Sequence, residues 1–338
     1  MVEVSRRTIL KAAGIMGTGL TIAAPHVAKA TEFQFKLGTD APNGHPVNKR
    51  IQEAADDIRK KTNGGVDIQV FPNSQLGGST DMLNQVRSGA IDFMSIPTSI
   101  LSVLVPSAAI CGIGFAFKSY DAVWKAMDGD LGAHIRAQIL KSRLVAMDKI
   151  LDNGFRQITT SNKPLTSPDD LNGLKIRVPP SPLWTSLFKA LQASPTSINF
   201  AELYSALQTK LVDGQENSLP IINTGKLYEV QKYCSITNHM WDGYWIVANQ
   251  KAFTSLPADI QVIVAQSFEA AAVAERADIF ALSNSLRPEL EKNGMVFNQL
   301  DTIPFRKVLS TAGFYAEWTK TFGGDAWSIL ERYSGELA

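Results

Sequence analysis

From Ala258 to Lys292 the chain contains no glycine and one proline, Pro288, and alanine is frequent. Good helix formers without an early breaker predict a helix of about 30 residues, spanning roughly 45–50 Å at 1.5 Å per residue. Leu256-Pro257-Ala258-Asp259 supplies its start, with Ser255 or Thr254 as the cap. One small domain is narrower than such a helix, so it is expected to act as a strut bracing two lobes. The competing reading is two ordinary helices broken near residues 283–285. A length of 338 residues suits two domains better than one hydrophobic core.

Ahead of the strut, strands alternate with helices. Phe33, Phe35 and Leu37 alternate with polar residues, as in a half-buried strand. Val47, Ile51, Ala54, Ala55 and Ile58 recur at helical spacing until Asn63-Gly64-Gly65 stops them. Residues 66–71 read as a second strand, 80–88 as a helix and 91–96 as a third strand. The same style returns with a strand at 174–178, helices at 183–191 and 202–209, and a strand at 246–248. This order predicts an α/β protein with parallel sheet built from βαβ units. Apolar residues make up 45% and charged residues 19%, which excludes a disordered or collagen-like chain.

The N-terminus carries Ser5-Arg6-Arg7-Thr8-Ile9-Leu10-Lys11, an uncharged stretch from Ala12 to Val27, and then Ala28-Lys29-Ala30. A basic head, a short apolar middle and an A-x-A end form a secretory signal peptide, and the paired arginines point to the twin-arginine route. Residues 1–30 are therefore expected to be removed on export, leaving a soluble mature protein in the periplasm. Their loss removes Arg6, Arg7, Lys11, Lys29 and Glu3 and takes the formal charge from +1 to −2. Such a balance gives no basic footprint for nucleic acid. Cys111 and Cys234 stand far apart in apolar surroundings and read as two free thiols.

Catalytic signatures are absent. His45, His134 and His239 have no Cys or carboxylate neighbours at metal-ligand spacing, and His26 leaves with the signal peptide. There is no G-x-S-x-G elbow, H-E-x-x-H or P-loop, and Gly112-Ile113-Gly114 lacks the third glycine of a dinucleotide fingerprint. No cofactor and no metal are expected. Asp213 with Glu216 could serve as an acid/base pair, and a hydrolase or lyase could use Glu216 with His239.

Two arginines stand in unusual places. Arg177 lies within an apolar strand that runs into Val178-Pro179-Pro180, and Arg156 sits in Asn153-Gly154-Phe155-Arg156-Gln157. Open α/β sheets place ligands at strand ends of this kind. A guanidinium stays charged and matches a carboxylate with two parallel hydrogen bonds. By itself this leaves Arg177 either as a ligand clamp or as an outward residue in a salt bridge. Asn217, on a Gly-Gln-Glu-Asn turn, is either an amide donor or a plain turn residue.

Several segments then occur in a recognisable order: Ser74-Gln75-Leu76-Gly77, the run from Gly154 to Asn162, Leu174-Lys175-Ile176-Arg177-Val178-Pro179, and the run from Glu202 to Gln208. Val212-Asp213-Gly214-Gln215-Glu216-Asn217, the run from Tyr228 to Tyr233, and Thr237-Asn238-His239 follow. In these the chain resembles the DctP-like solute-binding subunits of tripartite ATP-independent periplasmic (TRAP) transporters. The resemblance implies a two-lobed periplasmic binding protein fold with hinge strands and the long helix across both lobes. The lobes would comprise residues 31–154 plus 243–281, and 155–242 plus 282–338.

The same resemblance implies a ligand carboxylate held by Arg177, with Arg156 as a second positive group and Asn217 as an amide donor. Phe200 would pack on the ligand, Pro179 and Ser181 would line the same wall, and Asp40 would touch the ligand from the opposite lobe. Glu216, Pro97, Trp184 and Trp241 complete the expected lining. Trp184, Trp241, Tyr244 and Trp245 either stack on a ring or belong to the core. Pro97 and Ile100 replace the charged residues of sialic-acid-binding relatives, which counts against that ligand, and Asp40 replaces a usual amide. The partners implied are a small organic acid (a sugar acid, a hydroxy or oxo acid, or a dicarboxylate) and the membrane permease subunits, with the binding protein itself a monomer. The rival roles are a periplasmic sensor module and a hydrolase or lyase.

Overall fold

The computed structural model describes residues 31–337; the twin-arginine leader and its Ala28-Lys29-Ala30 end lie outside them. The first sheet begins as the alternating pattern predicts. Strand β1 (Phe33–Thr39) runs parallel to β2 (Val66–Phe71) and to β3 (Phe93–Pro97), with Leu37 opposite both Val70 and Phe93. Helix Pro46–Lys61 links β1 to β2 and buries Val47, Ile51, Ala54, Ala55 and Ile58. The His45 ring caps its start by accepting from the Val47 amide. Asn63 and Gly64, both at positive φ, turn the chain out of it. Helix Ser79–Ser88 links β2 to β3.

Three further strands complete this sheet: β4 (Leu144–Ala146), β5 (Leu151–Phe155) and β11 (Trp241–Asn249), in the order β2-β1-β3-β11-β4 with β5 also on β11. The second sheet contains β6 (Gln157–Thr160), β7 (Lys175–Val178), β8 (Ser194–Ser197), β9 (Gly214–Asn217), β10 (Tyr233–Ile236) and β12 (Val296–Gln299), in the order β12-β10-β6-β9-β7-β8. Only Arg156 separates β5 of one sheet from β6 of the other, and residues 237–240 join β10 to β11. The chain thus crosses between the sheets on two adjacent short segments, with the Arg156 amide donating to the Met240 carbonyl, the geometry of a hinge.

The long helix is continuous from Ala258 to Lys292, 35 residues including Pro288, and is not broken at 283–285. Its N-cap is Pro257 rather than Ser255 or Thr254, whose hydroxyls bond back to carbonyls of the preceding short helix. Val264, Phe268, Ala271 and Ala272 pack into the core of the first sheet, while Leu286 and Leu290 pack into a separate core with Leu203 and Leu207. One helix therefore feeds two cores, which makes it the expected strut. The last helix, Gly324–Ser334, packs on helices Tyr120–Met127 and Asp130–Lys141, whereas Phe314–Phe322 packs on Pro182–Ala190. The tail thereby ties elements from both sides. Cys111 and Cys234 are free and buried in different cores. Among the described residues no helix is long and apolar enough to cross a membrane.

A buried acid pair sits where the strut passes the hinge strands. Glu275 Oε2 accepts from the Asp152 amide at 2.7 Å, and Oε1 has no hydrogen-bond partner among the described residues. Asp152 Oδ1 accepts from the Gly154 amide and the Trp241 indole, each at 2.8 Å. Burial pushes Asp152 up to about 7 and Glu275 well above the usual carboxylate range, the Asp152 charge adding to the effect on Glu275. A group raised in the folded state contributes its stability below the unfolded carboxylate value and loses it as pH rises through the folded value. Glu275→Gln is therefore expected to raise the melting temperature more at pH 8 than at pH 5. Equal shifts by calorimetry at the two pH values would contradict this account.

Candidate functional site

Arg177 is the third residue of β7. The two-residue strand period sends Lys175 and Arg177 to the same face, yet Lys175 is exposed and Arg177 is 2% exposed. The difference arises because the C-terminal end of β7 enters the cleft between the two sheets. Pro179-Pro180 ends the strand, since proline cannot continue the ladder. Arg177 Nε donates to the Ile198 carbonyl at 2.8 Å. Its Nη groups find no acceptor among the described residues. Burial holds this guanidinium down to about 10, with Glu216 and Asp40 opposing the shift and Arg156 adding to it. A buried cation with two unengaged NH2 groups favours an incoming anion.

Arg177 lines a cavity of about 20 Å³. One wall comes from the first sheet and its loops: Asp40, Ser79, Pro97, Ser99 and Ile100. The facing wall comes from the second sheet: Arg177, Pro179, Phe200, Asn217 and Ile221. The floor comes from Arg156 at the crossing and from the ends of the strands beside it, with Asn153 of β5 and Asp242 and Tyr244 of β11. Across the rim, the Thr80 amide and hydroxyl lie 3.4 Å from Asn199 Oδ1, and Asn199 Nδ2 donates to Thr80 Oγ1 at 3.1 Å. These bonds join the two walls, so the cleft is closed.

The two arginines are not equivalent. Arg156 Nε and Nη2 clasp Glu216 at 2.5 and 2.7 Å, Nη2 also donates to the Glu216 carbonyl at 2.8 Å, and Nη1 reaches Asp242 at 3.5 Å. Burial alone would lower the Arg156 pKa, but Glu216 and Asp242 outweigh it and raise it. Glu216 is likewise penalised by burial, yet Arg156 and His239 bring it down to about 2. The Arg156 charge is thus already neutralised by protein, and that of Arg177 is not. Asn217 Nδ2 donates to Gln215 Oε1 at 2.7 Å, and Asn217 lines the cavity.

Of the residues expected at the site, Arg177, Arg156, Asn217, Phe200, Asp40, Pro179 and Pro97 line the cavity. Four do not. Glu216 lies behind Arg156 as its partner. Ser181 is the N-cap residue of helix Pro182–Ala190 and bonds Ser102 at 3.0 Å. Trp184 is fully buried, its ring against Gly112 so closely that a Cβ there would lie 2.6 Å away. Trp241 donates to Asp152 and packs edge-on to Trp124 and Phe117. Trp245 is also core, and only Tyr244 of the four aromatics reaches the cavity.

Sequence reasoning missed Asp242, Asn153, Ser79, Ser99 and Ile221. Asp242 was the most findable: it alternates with Tyr244 on β11, an acid flanked by apolar and aromatic residues. It accepts from Thr98 Oγ1 at 2.5 Å, Ser99 Oγ at 3.1 Å and the Gly243 amide at 3.0 Å. Larger depressions of about 900 and 730 Å³ lie elsewhere on the surface, and neither includes Arg177, Arg156 or Asp40. Among the described residues no three His, Cys, Asp or Glu side chains converge as metal ligands.

The family model described as bacterial extracellular solute-binding protein, family 7 (DctP), matches residues 37–317. The C4-dicarboxylate-binding periplasmic protein DctP of Rhodobacter capsulatus is 30% identical over 335 residues, covering 98% of this chain and 96% of that one. A solute-binding protein of Roseobacter denitrificans is 32% identical over 295 residues, 87% of this chain and 90% of that one. The crystal structure of that Roseobacter protein, a TRAP periplasmic solute-binding protein with bound L-galactonate, superposes with a TM-score of 0.83 over 88% of this chain. A TRAP periplasmic solute-binding protein from Polaromonas sp. JS666, bound to D-erythronate, is 29% identical with a TM-score of 0.85, covering 91% of this chain and all of that one.

Proposed function

Because the chain belongs to bacterial extracellular solute-binding protein family 7, the DctP family of TRAP transporters, we propose that it captures a small organic carboxylate on Arg177 and hands it to a membrane permease. The observation that carries this reading is the imbalance between the arginines: Arg156 is matched by Glu216, while Arg177 is a buried residue whose Nη groups make no hydrogen bond among the described residues. A carboxylate would complete that guanidinium with two parallel bonds.

The lobes are residues 31–154 plus 243–281, and 155–242 plus 282–338, rotating about Arg156 and residues 237–240. In the open cleft Arg177 draws the carboxylate in. Closure then removes water, strengthens the ion pair and sets the Thr80–Asn199 bonds across the rim. The closed form docks as a monomer on a permease with two integral subunits, in the periplasm after export. Periplasmic relatives and the leader sequence support that location. Binding proceeds without turnover. Supporting this, Glu216 and His239, the pair considered for hydrolysis, bond Arg156, Thr237 and each other and do not line the cavity.

A thermal-shift screen tests the reading with uronates, aldonates, hydroxy and oxo acids, dicarboxylates, aromatic acids and amino acids, with neutral sugars as controls. A ligand at 100 times its Kd stabilises by about 2.7 kcal/mol, a rise on the order of 5 °C for a chain of this size. Shifts from neutral sugars and none from any acid would overturn the proposal.

A further inference from the structure

The cavity holds a second buried charge whose partners are incomplete. Asp40 follows β1 and is 4% exposed. Its Oδ2 accepts from Ser79 Oγ at 2.5 Å. Its Oδ1 is buried and has no hydrogen-bond partner among the described residues. The neighbouring carboxylate, Asp242, differs: hydroxyls of Thr98 and Ser99 and the Gly243 amide occupy both of its oxygens. Asp40 is thus the one carboxylate on the cavity wall with an oxygen left over.

Asp40 and Arg177 line the same cavity from facing walls and make no ion pair with each other. The cavity therefore presents unengaged N–H donors on one side and an unengaged acceptor on the other. An ionised carboxylate only accepts, so it matches a hydroxyl or ammonium hydrogen and repels a second carboxylate.

We infer that Asp40 is a specificity-determining residue: it takes a hydroxyl or ammonium hydrogen from a ligand whose single carboxylate sits on Arg177. The substrate class is a monocarboxylic acid carrying a hydroxyl or amino donor away from the carboxylate, and C4-dicarboxylates are rejected. This inference rests on Arg177 as the carboxylate clamp. Burial supports the asymmetry, because a site built around a buried polar atom discriminates strongly against an analogue that leaves that atom unmatched. Charge points the same way. Two guanidiniums, Arg156 and Arg177, already face three carboxylates at the site, Glu216, Asp242 and Asp40, so no cation is left over for a second ligand carboxylate. A dicarboxylate would add two negative charges there, whereas a monocarboxylate adds one and an amino acid none.

The organic-acid screen on the wild-type chain separates the two claims. Shifts confined to acids with one carboxylate and a hydroxyl or amine support the assignment, and comparing hydroxy acids with amino acids identifies the donor. A dicarboxylate, or an acid without a donor, that stabilises as strongly as the best hydroxylated or aminated acid overturns it and leaves the Arg177 reading standing. If no acid stabilises the chain, both fall together. Isothermal titration of Asp40→Asn adds a second readout. The preference for the best wild-type binder over succinate is expected to shrink at least tenfold, and an unchanged preference in a folded variant overturns the assignment.

Discussion

Arg177→Met is expected to abolish tight carboxylate binding while raising the melting temperature of the ligand-free protein. The loss of affinity follows from leaving a desolvated carboxylate without its charge partner, which costs about 3–5 kcal/mol, a hundredfold or more in Kd. The gain in stability follows from the same burial. Arg177 is fully buried, is held down to about 10 chiefly by desolvation, and makes one hydrogen bond to protein, from Nε to Ile198. Replacing a poorly matched buried cation with a side chain of similar volume removes a penalty of the fold. The two effects have opposite signs, so a merely damaged protein could not mimic them. Titration calorimetry reads the affinity and scanning calorimetry reads the stability. Near wild-type affinity in the methionine variant would remove Arg177 from the role of clamp.

The second large effect is expected at Arg156 and has another character. Arg156→Ala strands Glu216, a fully buried carboxylate, with His239 at 3.3 Å as its remaining side-chain partner. Breaking one side of a buried ion pair costs about 3–5 kcal/mol, roughly 5–10 °C in melting temperature for a chain of this size. Glu216 is depressed to about 2 in the folded protein, so its contribution is present above the unfolded value and fades as pH falls toward 2. The deficit of the variant should therefore be largest above pH 5 and shrink toward pH 3. Because Arg156 and Glu216 share one interaction, Arg156→Met combined with Glu216→Gln should recover part of the loss. A melting temperature within a degree or two of wild type for Arg156→Ala would mean that this pair contributes little.

The contrast between these variants explains why two arginines, both prominent in the sequence, divide into different roles. Arg177 is conspicuous within an apolar strand and Arg156 at the junction of two strands. Whether such a guanidinium awaits a ligand or already has a partner depends on Glu216, which is brought to Arg156 by the antiparallel pairing of β6 with β9. The Glu216 carboxylate, expected in the lining, is thereby turned away from the cavity. Trp184, Trp241 and Ser181 lie outside the cavity for a related reason. They neighbour true lining residues in the chain, but the side of a helix or strand that meets the cleft depends on the facing lobe.

The alternating apolar pattern of β1, the helical spacing from Val47 to Ile58 and the glycine-free run to Lys292 determined the α/β class and the strut, because these are local properties of the backbone. Pro179 after Arg177 and the loop after β1 likewise placed Arg177 and Asp40 at strand ends by local chemistry alone. Tertiary structure decided the rest. Asp242 and Tyr244 became cavity floor because β11 begins where the chain enters the first sheet from residues 237–240, and Asp40 came to face Arg177 because the lobes close. A buried charge acquires its meaning from the partner it meets or lacks across such a contact, and contacts between residues far apart in the chain leave no period in a single sequence.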